Sequence, residues 1–275
     1  MGMKEIVTAL CATPPLRKVV VSLAKSPGGR RFLTSLSPRR GVYESFQDAW
    51  SAAKNDRHAG HGHPEAIERH VWLATAPMPS DYPMLYWLGR IPGDIRLFDY
   101  GGNMGNVYYS CAKYIDVTAR RLEWTVYDLP DVISLAKECL PVANIEKPHF
   151  TASLQDAASA NVLLVSGMYH YWEKDTLSFI EQFPTPPEHV FINRTPYYKN
   201  RPAVVAIQST MKFAFPIIIR NVNELIDGFA TKGYEIVDQW TAPEYGHVMP
   251  FFPEHSMHAY SGFYFRLKSA QVAAT

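Results

Sequence analysis

From residue 95 onward, short and nearly continuous apolar runs alternate with segments of helical periodicity. Runs without polar alternation are typical of parallel strands that helices cover on both faces. The clearest helix is Val222–Lys232, where apolar residues recur on one face, Asn221 can cap the start and Gly233 can end it. The pattern predicts seven strands: Ile95–Tyr100, Leu122–Tyr127, His149–Ala152, Val162–Ser166, Val190–Asn193, Tyr234–Trp240 and Ala259–Leu267.

The organisation of the chain changes where these strands begin. Residues 1–92 are punctuated by proline and histidine and contain helical patches such as 43–50, which predicts a helical cap that starts with a basic arm. Residues 93–268 are expected to form a doubly wound α/β core, and residues 269–275 a tail. Within the core, the connection 199–220 is longer than a compact fold needs, which indicates a lid.

Composition limits the classes of protein to consider. An apolar fraction of 47% in 275 residues is enough for a large buried core and excludes a mainly disordered chain. A formal net charge of +1 gives no overall field that would attract nucleic acid or a membrane, although residues 1–43 are rich in lysine and arginine. Three cysteines with no close pair do not form a disulfide framework, and we find no export signal or membrane span. We therefore expect a cytoplasmic protein.

A cluster of histidines, His58, His61 and His63, invites a metal interpretation. Zinc sites require defined spacing together with Cys or carboxylate ligands. A solvated Gly-rich loop is the simpler interpretation of this stretch, so we expect no metal.

Segment 98–109 places a Gly-rich turn between a buried strand and a helix. Ligands of open α/β sheets bind beyond the carboxyl ends of the strands, where glycine permits a close approach. A dinucleotide fingerprint starting at Gly101 needs glycine at positions 103 and 106, and both are asparagine. The pattern acid-x-G-x-G-x-G instead finds Asp99, Gly101 and Gly105, with Asn103 as its one departure. Asparagine is well suited to the left-handed conformation that glycine usually takes there.

An acidic residue, Asp128, ends the next predicted strand. A carboxylate in that place can accept both hydroxyl protons of a ribose. Enzymes that use NAD and enzymes that use S-adenosylmethionine (SAM) share such an acid, so Asp128 does not distinguish them. The glycine spacing favours SAM, which has no pyrophosphate to cradle. Asp131 is expected to be the N-cap of the following helix.

A histidine, His170, lies in the loop after the buried strand 162–166. An acceptor hydroxyl would meet a cofactor in this region, and the ordinary pKa of histidine, about 6.5, suits proton removal at neutral pH. The spacing alone leaves a structural role open. Asp175 is predicted to cap the helix that follows, and the alternative bases later in the chain are His247, His255 and His258.

Three segments, 99–105, 126–133 and 167–175, occur in this order and resemble the cofactor and catalytic motifs of class I SAM-dependent methyltransferases. Their sequences are Asp-Tyr-Gly-Gly-Asn-Met-Gly, Val-Tyr-Asp-Leu-Pro-Asp-Val-Ile and Gly-Met-Tyr-His-Tyr-Trp-Glu-Lys-Asp. The second and third are similar to those of small-molecule O-methyltransferases, in which Asp-Leu-Pro grips the ribose and His-x-Trp supplies a base. Over residues 41–268 the chain also resembles a poorly characterised bacterial family of methyltransferases, through Gly-Val-Tyr-Glu-Ser-Phe near the start and Asn-Arg-Thr-Pro after a strand.

This resemblance implies a seven-stranded, Rossmann-like sheet with an antiparallel last strand. It implies that the Gly-rich turn lines the methionine end of the cofactor, that Leu129 packs on the adenine and that Ser166 and Gly167 pass under the sulfonium. It makes His170 the general base. The cofactor residues that it implies are Asp99, Tyr100, Gly101, Gly102, Asn103, Gly105, Asp128, Leu129, Ser153, Leu154, Ser166 and Gly167.

We therefore expect a SAM-dependent methyltransferase that methylates an oxygen, with a nitrogen as the second choice, of a small metabolite or sugar-like acceptor and releases S-adenosylhomocysteine. Arg194, Tyr197 and Gln208 are the predicted acceptor contacts, although Arg194 equally suits a structural ion pair. No specific nucleic acid is expected as partner, and a homodimer is left open. The alternatives are an RNA methyltransferase that uses the basic arm, a SAM-binding scaffold without transfer activity, and a nicotinamide oxidoreductase.

Overall fold

A computed structural model of the chain describes residues 13–23, 26, 28, 39–54, 76–115, 122–139, 145, 147–209, 214–247, 249 and 252–268. Its helices are α1 (Pro14–Leu23), α2 (Phe46–Lys54), α3 (Asp81–Leu88), α4 (Asn106–Cys111), α5 (Pro130–Cys139), α6 (Thr176–Glu181) and α7 (Val222–Thr231). Its strands are β1 (Arg39–Tyr43), β2 (Ile95–Tyr100), β3 (Leu122–Tyr127), β4 (His149–Thr151), β5 (Val162–Ser166), β6 (His189–Thr195), β7 (Tyr197–Tyr198), β8 (Val204–Ser209), β9 (Ala214–Asn221), β10 (Tyr234–Ala242) and β11 (Tyr260–Leu267). No helix in these ranges is long and apolar enough to cross a membrane.

The main sheet contains all seven predicted strands, in the order β4-β3-β2-β5-β6-β11-β10. β2 pairs in parallel with β3 on one side and with β5 on the other. β11 alone runs against its neighbours, antiparallel to both β6 and β10. The predicted doubly wound, Rossmann-like α/β class and the antiparallel last strand are therefore confirmed.

Helices cover both faces of this sheet, which explains why its central strands β5 and β6 are buried almost without interruption. Successive strand residues belong to different cores, as Leu97 and Phe98 of β2 show. One core packs α3, α4 and α5 on the sheet, and the other packs α6 and α7. On that second face Phe229 of α7 stacks on Phe265 of β11, with ring centroids 4.2 Å apart.

A second sheet, in the order β1-β8-β9-β7, lies outside the main one. β8 and β9 form an antiparallel hairpin, and β1 pairs antiparallel with β8. Helix α2 packs on the hairpin through Ala49 and Ala53, whose small side chains allow a close approach to Ile207 and Ala214. The described part of 199–220 is thus mostly strand and not the long loop that was expected, and its role as a lid stays a prediction. The segment 1–92 contributes a strand as well as helices.

The predicted helix ends are mostly observed. The Asn221 side chain accepts a hydrogen bond from the backbone N–H of Asn223, and Gly233 follows the end of α7 with a φ of 84°. Asp175 likewise caps α6 by accepting from the Ser178 N–H at 2.7 Å. Asp131 is not an N-cap, because α5 already begins at Pro130. The histidines at 58, 61 and 63, the tail 269–275 and most of the basic arm lie outside the described residues.

Candidate active site at the carboxyl edge of the main sheet

The candidate site lies where the winding of the main sheet reverses. From β2 the chain proceeds to β3 and β4 on one side, and β5 begins the other half. Open α/β sheets bind ligands outside the carboxyl ends of the two strands at such a point. The Gly-rich turn follows β2 and the loop of His170 follows β5, so both predicted motifs lie at this edge.

The Gly-rich turn is held in a left-handed course by backbone bonds to the next strand. The N–H groups of Gly101 and Gly102 both donate to the Tyr127 carbonyl, at 2.8 and 3.2 Å. Gly101, Asn103 and Gly105 have positive φ angles of 73°, 55° and 80°. The left-handed conformation expected of Asn103 is thus observed, and its side-chain oxygen accepts the Met104 N–H at 2.8 Å. Asparagine therefore replaces the missing glycine without changing the turn.

The Asp128 carboxylate joins the end of β3 to this turn. Its Oδ2 accepts the Asn103 N–H at 2.8 Å and its Oδ1 accepts the Leu129 N–H at 2.7 Å. Burial raises the pKa of this carboxyl, and the two N–H donors oppose the rise. Each oxygen has a second acceptor position beyond the one used. Leu129 beside it is 51% exposed, which leaves an apolar surface next to the carboxylate.

A second carboxylate, Asp99, is buried beneath the turn. Its Oδ2 accepts the Trp124 indole N–H at 3.2 Å, and its Oδ1 has no hydrogen-bond partner within the described part of the chain. Burial raises the pKa of Asp99 to about 7, and the nearby Asp128 adds to the rise. A Cβ on Gly102 would come within 2.6 Å of this carboxyl, so glycine is required where the turn crosses it.

Tyr100, which was predicted as a cofactor residue, directs its side chain away from the turn and into the core. Its ring stacks on the Tyr127 ring at 5.1 Å, and its hydroxyl donates to Gln182 Oε1 at 3.2 Å. The side chain therefore belongs to the core beneath α6, and only the backbone of Tyr100 is available to a ligand at the turn.

Ser153 and Leu154 lie beside Asp128, as the predicted adenine edge requires. The Asp128 N–H donates to the Thr151 carbonyl at 3.3 Å, and the Ser153 N–H donates to the Thr151 hydroxyl at 2.9 Å. Ser153 is exposed, whereas Leu154 is half-buried against the core. Their role toward a cofactor stays a prediction.

Across the reversal point, Ser166 ends β5 and Gly167 follows it. Gly167 has a φ of 73°, and a Cβ placed there would meet no atom within 4 Å, so the backbone borders open space. The Ser166 hydroxyl oxygen is buried and has no hydrogen-bond partner among the described residues. Met168, next in the chain, packs on the Gly-rich turn, since a Cβ on Gly101 would lie 2.5 Å from Met168 Cγ. The two loops therefore touch.

His170 occupies a one-turn helix, Tyr169–Tyr171, directly after this loop. Its side chain is 4% exposed, and its ring centroid lies 4.2 Å from that of Tyr171 and 6.4 Å from that of Tyr260. Tyr260 begins β11, which runs antiparallel to β6, so its end of β11 meets the carboxyl end of β6. His170 is thus at the carboxyl edge of the sheet, where the prediction requires a base.

Two of the three predicted acceptor residues, Arg194 and Gln208, have polar partners within the protein. Arg194 forms an ion pair with the buried Asp81, and its Nε donates to the Ser80 hydroxyl at 3.0 Å. The ion-pair alternative is therefore the one observed. Tyr197 is buried in the core beneath α6 and α7, and its hydroxyl has no hydrogen-bond partner among the described residues, so its role toward an acceptor stays a prediction. Gln208 accepts the Tyr171 hydroxyl at 2.9 Å, so it supports the loop of His170.

The alternative bases also have structural contacts. His247 is buried, and its Nε2–H donates to the His255 carbonyl at 2.9 Å. The ring Nδ1 of His255 lies 3.0 Å from the Tyr198 hydroxyl. These bonds hold His247 and His255 in place, and His258 is exposed.

Ser80, Asn193, Trp240 and Glu244 form a polar cluster near the carboxyl edge of the main sheet, which the sequence did not predict. The Asn193 amide donates to the Ser80 carbonyl at 3.1 Å, and its oxygen accepts the Trp240 indole N–H at 3.0 Å. Glu244 accepts hydrogen bonds from the backbone and the hydroxyl of Ser80. Ser80 and Asp81 begin α3, where such residues look like ordinary helix-start residues. No local pattern connects them with a strand more than a hundred residues later. Within the described ranges, no group of three or more His, Cys, Asp and Glu side chains is arranged to hold a metal ion.

Comparison with known proteins gives resemblances of fold only. No family model and no curated protein matches the sequence. One similar solved structure is the 1,6-didemethyltoxoflavin-N1-methyltransferase of Burkholderia thailandensis with bound 1,6-didemethyltoxoflavin and S-adenosylhomocysteine. It is 17% identical to this chain, and the match covers 81% of this chain and 87% of the other with a TM-score of 0.46.

Two other solved structures have similar values. A SAM-dependent methyltransferase of Methanosarcina mazei is 12% identical, over 68% of this chain and 97% of its own, with a TM-score of 0.49. LepI in complex with SAM is 16% identical, over 95% of this chain and 64% of its own, with a TM-score of 0.49. At such identities and TM-scores these comparisons assign no function, and the fold class rests on the strand order itself.

Proposed function

We propose that this chain is a SAM-dependent methyltransferase that methylates a hydroxyl group of a small molecule. The observation that carries the proposal is the arrangement at the reversal point of the sheet. There the Asp128 carboxylate at the end of β3 holds the Gly-rich turn through the Asn103 N–H, and the loop with Gly167 and His170 faces the same edge.

The residues at this edge fit SAM. The second acceptor positions of Asp128 suit the two hydroxyls of a ribose, and the exposed Leu129 offers an apolar surface to an adenine. The unpartnered polar atoms of Asp99 and Ser166 lie on either side of the reversal point. The open space at Gly167 gives room beside them. When bound, SAM supplies a methyl group on a positively charged sulfur.

The chain's own part in the transfer is positioning and proton removal. Holding the acceptor oxygen in line with the methyl group removes much of the entropic barrier to a reaction between two molecules. His170 would take the hydroxyl proton as the new bond forms, so that the oxygen attacks without becoming a free alkoxide. Its burial against Tyr171 and near Tyr260 excludes water from the imidazole.

The partners and the compartment remain part of this proposal. A small-molecule acceptor suits an edge lined by aromatic rings and by a neutralised Arg194–Asp81 pair better than nucleic acid, which needs free basic side chains. We propose a cytoplasmic protein that needs no metal.

Calorimetric titration of the purified protein with SAM, S-adenosylhomocysteine and NADH tests the cofactor. We expect micromolar binding of the first two and none of NADH. Asp128→Asn should weaken SAM about 10- to 100-fold, because a charged acceptor is lost from both the ribose and the turn. Asp131→Asn is the matched control, since this exposed carboxylate lies in the first turn of α5 and should leave the affinity unchanged. Binding of NADH alone would remove the proposal.

Loss of His170 separates catalysis from binding. In a screen of hydroxyl compounds with SAM, His170→Asn should lower kcat about 10²- to 10⁴-fold and leave the Kd of SAM within twofold. An unchanged kcat would exclude His170 as the base. A chain that binds SAM and turns over no acceptor would instead be the scaffold of the alternative interpretation.

A further inference from the structure

Arg220, at the end of β9, is a buried cation that reaches across to the loop of His170. Its side chain is 4% exposed. One guanidinium nitrogen, Nη2, donates to two carbonyls of that loop, those of Trp172 and Lys174. The guanidinium carbon also lies 5.3 Å from the centroid of the Tyr169 ring. The same side chain therefore touches the loop on both sides of His170.

The direct contacts of the Arg220 guanidinium with the described residues are all to neutral groups. Arg220 belongs to none of the ion pairs among the described residues, and its Nη1 has no hydrogen-bond partner there. A buried charge without a counter-ion is costly unless hydrogen bonds compensate it. The two carbonyls and the ring face supply that compensation, so any departure of the loop would leave the cation unsolvated. The loop and Arg220 consequently hold each other in place.

A second contact connects the same loop to the same hairpin. The Tyr171 hydroxyl donates to Gln208 on β8, and the Tyr171 ring lies 6.1 Å from that of Phe215 on β9. The hairpin thus contacts the residues before and after His170 from one direction. We call this hairpin, β8 and β9, the platform behind His170.

We propose that Arg220 is a positioning residue for His170, which it sets against the carboxyl edge of the sheet by fixing residues 169–175 to the β8–β9 hairpin. This inference rests on the proposed role of His170 as the base. It assigns the second sheet a function in catalysis, since Arg220 does not belong to the edge where SAM is proposed to bind.

Arg220→Met and Arg220→Lys test the proposal with a readout that needs no turnover. Methionine keeps most of the volume and removes the charge and both donors. Lysine keeps the charge and can satisfy the carbonyls only in part, and it guards against a Met variant that fails to fold. Hydrogen exchange is measured at the N–H groups of Tyr171 and Trp172, which bond to Met168 and Tyr169 at 2.9 and 3.1 Å. We expect exchange there to rise about tenfold or more in the Met variant and less in the Lys variant, with the strands of the main sheet unchanged.

Kinetics then distinguish positioning from folding. The Met variant should lose about 10²-fold in kcat and keep the Kd of SAM within twofold, because a displaced base impairs the reaction and leaves the Gly-rich turn intact. Arg266→Met is the matched control, since Arg266 pairs with Glu235 on the exposed edge of the sheet and should change neither quantity.

Two results would overturn the proposal: exchange in the loop that stays at the wild-type rate, or exchange that rises equally throughout the core together with a weaker affinity for SAM. Failure of the wild-type chain to bind SAM is a separate result. It would contradict the proposed function, while the exchange rates would still decide whether Arg220 fixes the loop.

Discussion

Asp81 and Arg194 form a buried ion pair that fastens the start of α3 to the end of β6. Asp81 is 1% exposed, and its Oδ2 also accepts the Met78 N–H at 2.9 Å. Burial raises the pKa of this carboxyl, and the Arg194 guanidinium opposes the rise. Arg194 has a φ of 56°, an uncommon value for a residue with a side chain. The pair therefore engages the cation that the sequence predicted either as an acceptor contact or as half of a structural ion pair.

Removing both partners of this pair should cost less stability than the two single losses together. Arg194→Met is expected to lower the free energy of unfolding by about 3 kcal/mol, because it leaves Asp81 buried without its cation, and Asp81→Asn by less, because Glu244 Oε1 still lies 4.0 Å from Arg194 Nε. The double variant should lose at least about 1 kcal/mol less than the two losses together. Urea unfolding monitored by fluorescence and circular dichroism measures all three. Losses that simply add would show that the two side chains act independently.

Glycine at position 101 should be irreplaceable for two separate reasons. A Cβ there would require a left-handed conformation and would overlap Met168. Gly93 is the matched control, with a φ of 74° and nothing within 4 Å of the added carbon. We expect Gly93→Ala to cost about 1 kcal/mol of unfolding free energy and Gly101→Ala about 2 kcal/mol more. The affinity for SAM should fall only in Gly101→Ala, and equal effects of the two changes would contradict this account.

Asn103 is the one departure from the glycine pattern of the turn. Its replacement by glycine should change little, whereas its replacement by alanine should lower the stability. Asn103→Gly keeps the left-handed conformation and should leave the Kd of SAM within about twofold. Asn103→Ala has neither that freedom nor the side-chain oxygen that accepts the Met104 N–H, and should cost about 1 kcal/mol of stability. Calorimetry and thermal unfolding give the two quantities. A glycine variant with weaker binding would mean that the Asn103 side chain itself contacts the cofactor.

Asp99 should make the cofactor-free protein less stable as the pH rises. Its pKa is about 7 in the folded chain and 3.8 in an ordinary carboxyl, so between pH 4 and pH 7 the folded state binds a proton that the unfolded state has lost. The stability from that proton is present below pH 4 and is lost as the pH rises through 7. Asp99→Asn should remove this dependence.

Urea unfolding of Asp99→Asn and wild type at several pH values measures the effect. The difference in unfolding free energy should grow in favour of the variant, by up to about 4 kcal/mol between pH 4 and pH 8. A difference that does not vary with pH would mean that Asp99 ionises normally.

The main sheet could be predicted because its strands are covered on both faces. For β2, β3 and β5 the observed bounds equal the predicted ones, because each is a short run rich in apolar residues that a polar or glycine residue follows. In β5 the apolar run is continuous, as burial on both faces requires. The positions of Asp128 and of the left-handed Asn103 also followed from local pattern. The bond between them did not, because it joins residues on different strands.

The second sheet could not be predicted from the same rules. Pro216 interrupts the apolar run of β9, and proline normally argues against a strand because it has no N–H to donate. At Pro216 the strand has a neighbour on one side only, since β7 pairs with β9 at Arg220 and Asn221. The single-sided pairing tolerates the proline. The partners of Arg194 and Gln208 were missed for a similar reason, because contacts between distant segments leave no periodic signal.

The pairing of β1 with β8 has a consequence for the order of folding. Arg39 lies opposite Gln208, so the chain must close a loop of about 170 residues before this pairing contributes any stability. The Gly-rich turn and Asp128 belong to consecutive βα units, which assemble through much shorter loops. We expect the cofactor half of the site to form early in refolding, and the pairing of β1 with the platform behind His170 to form late.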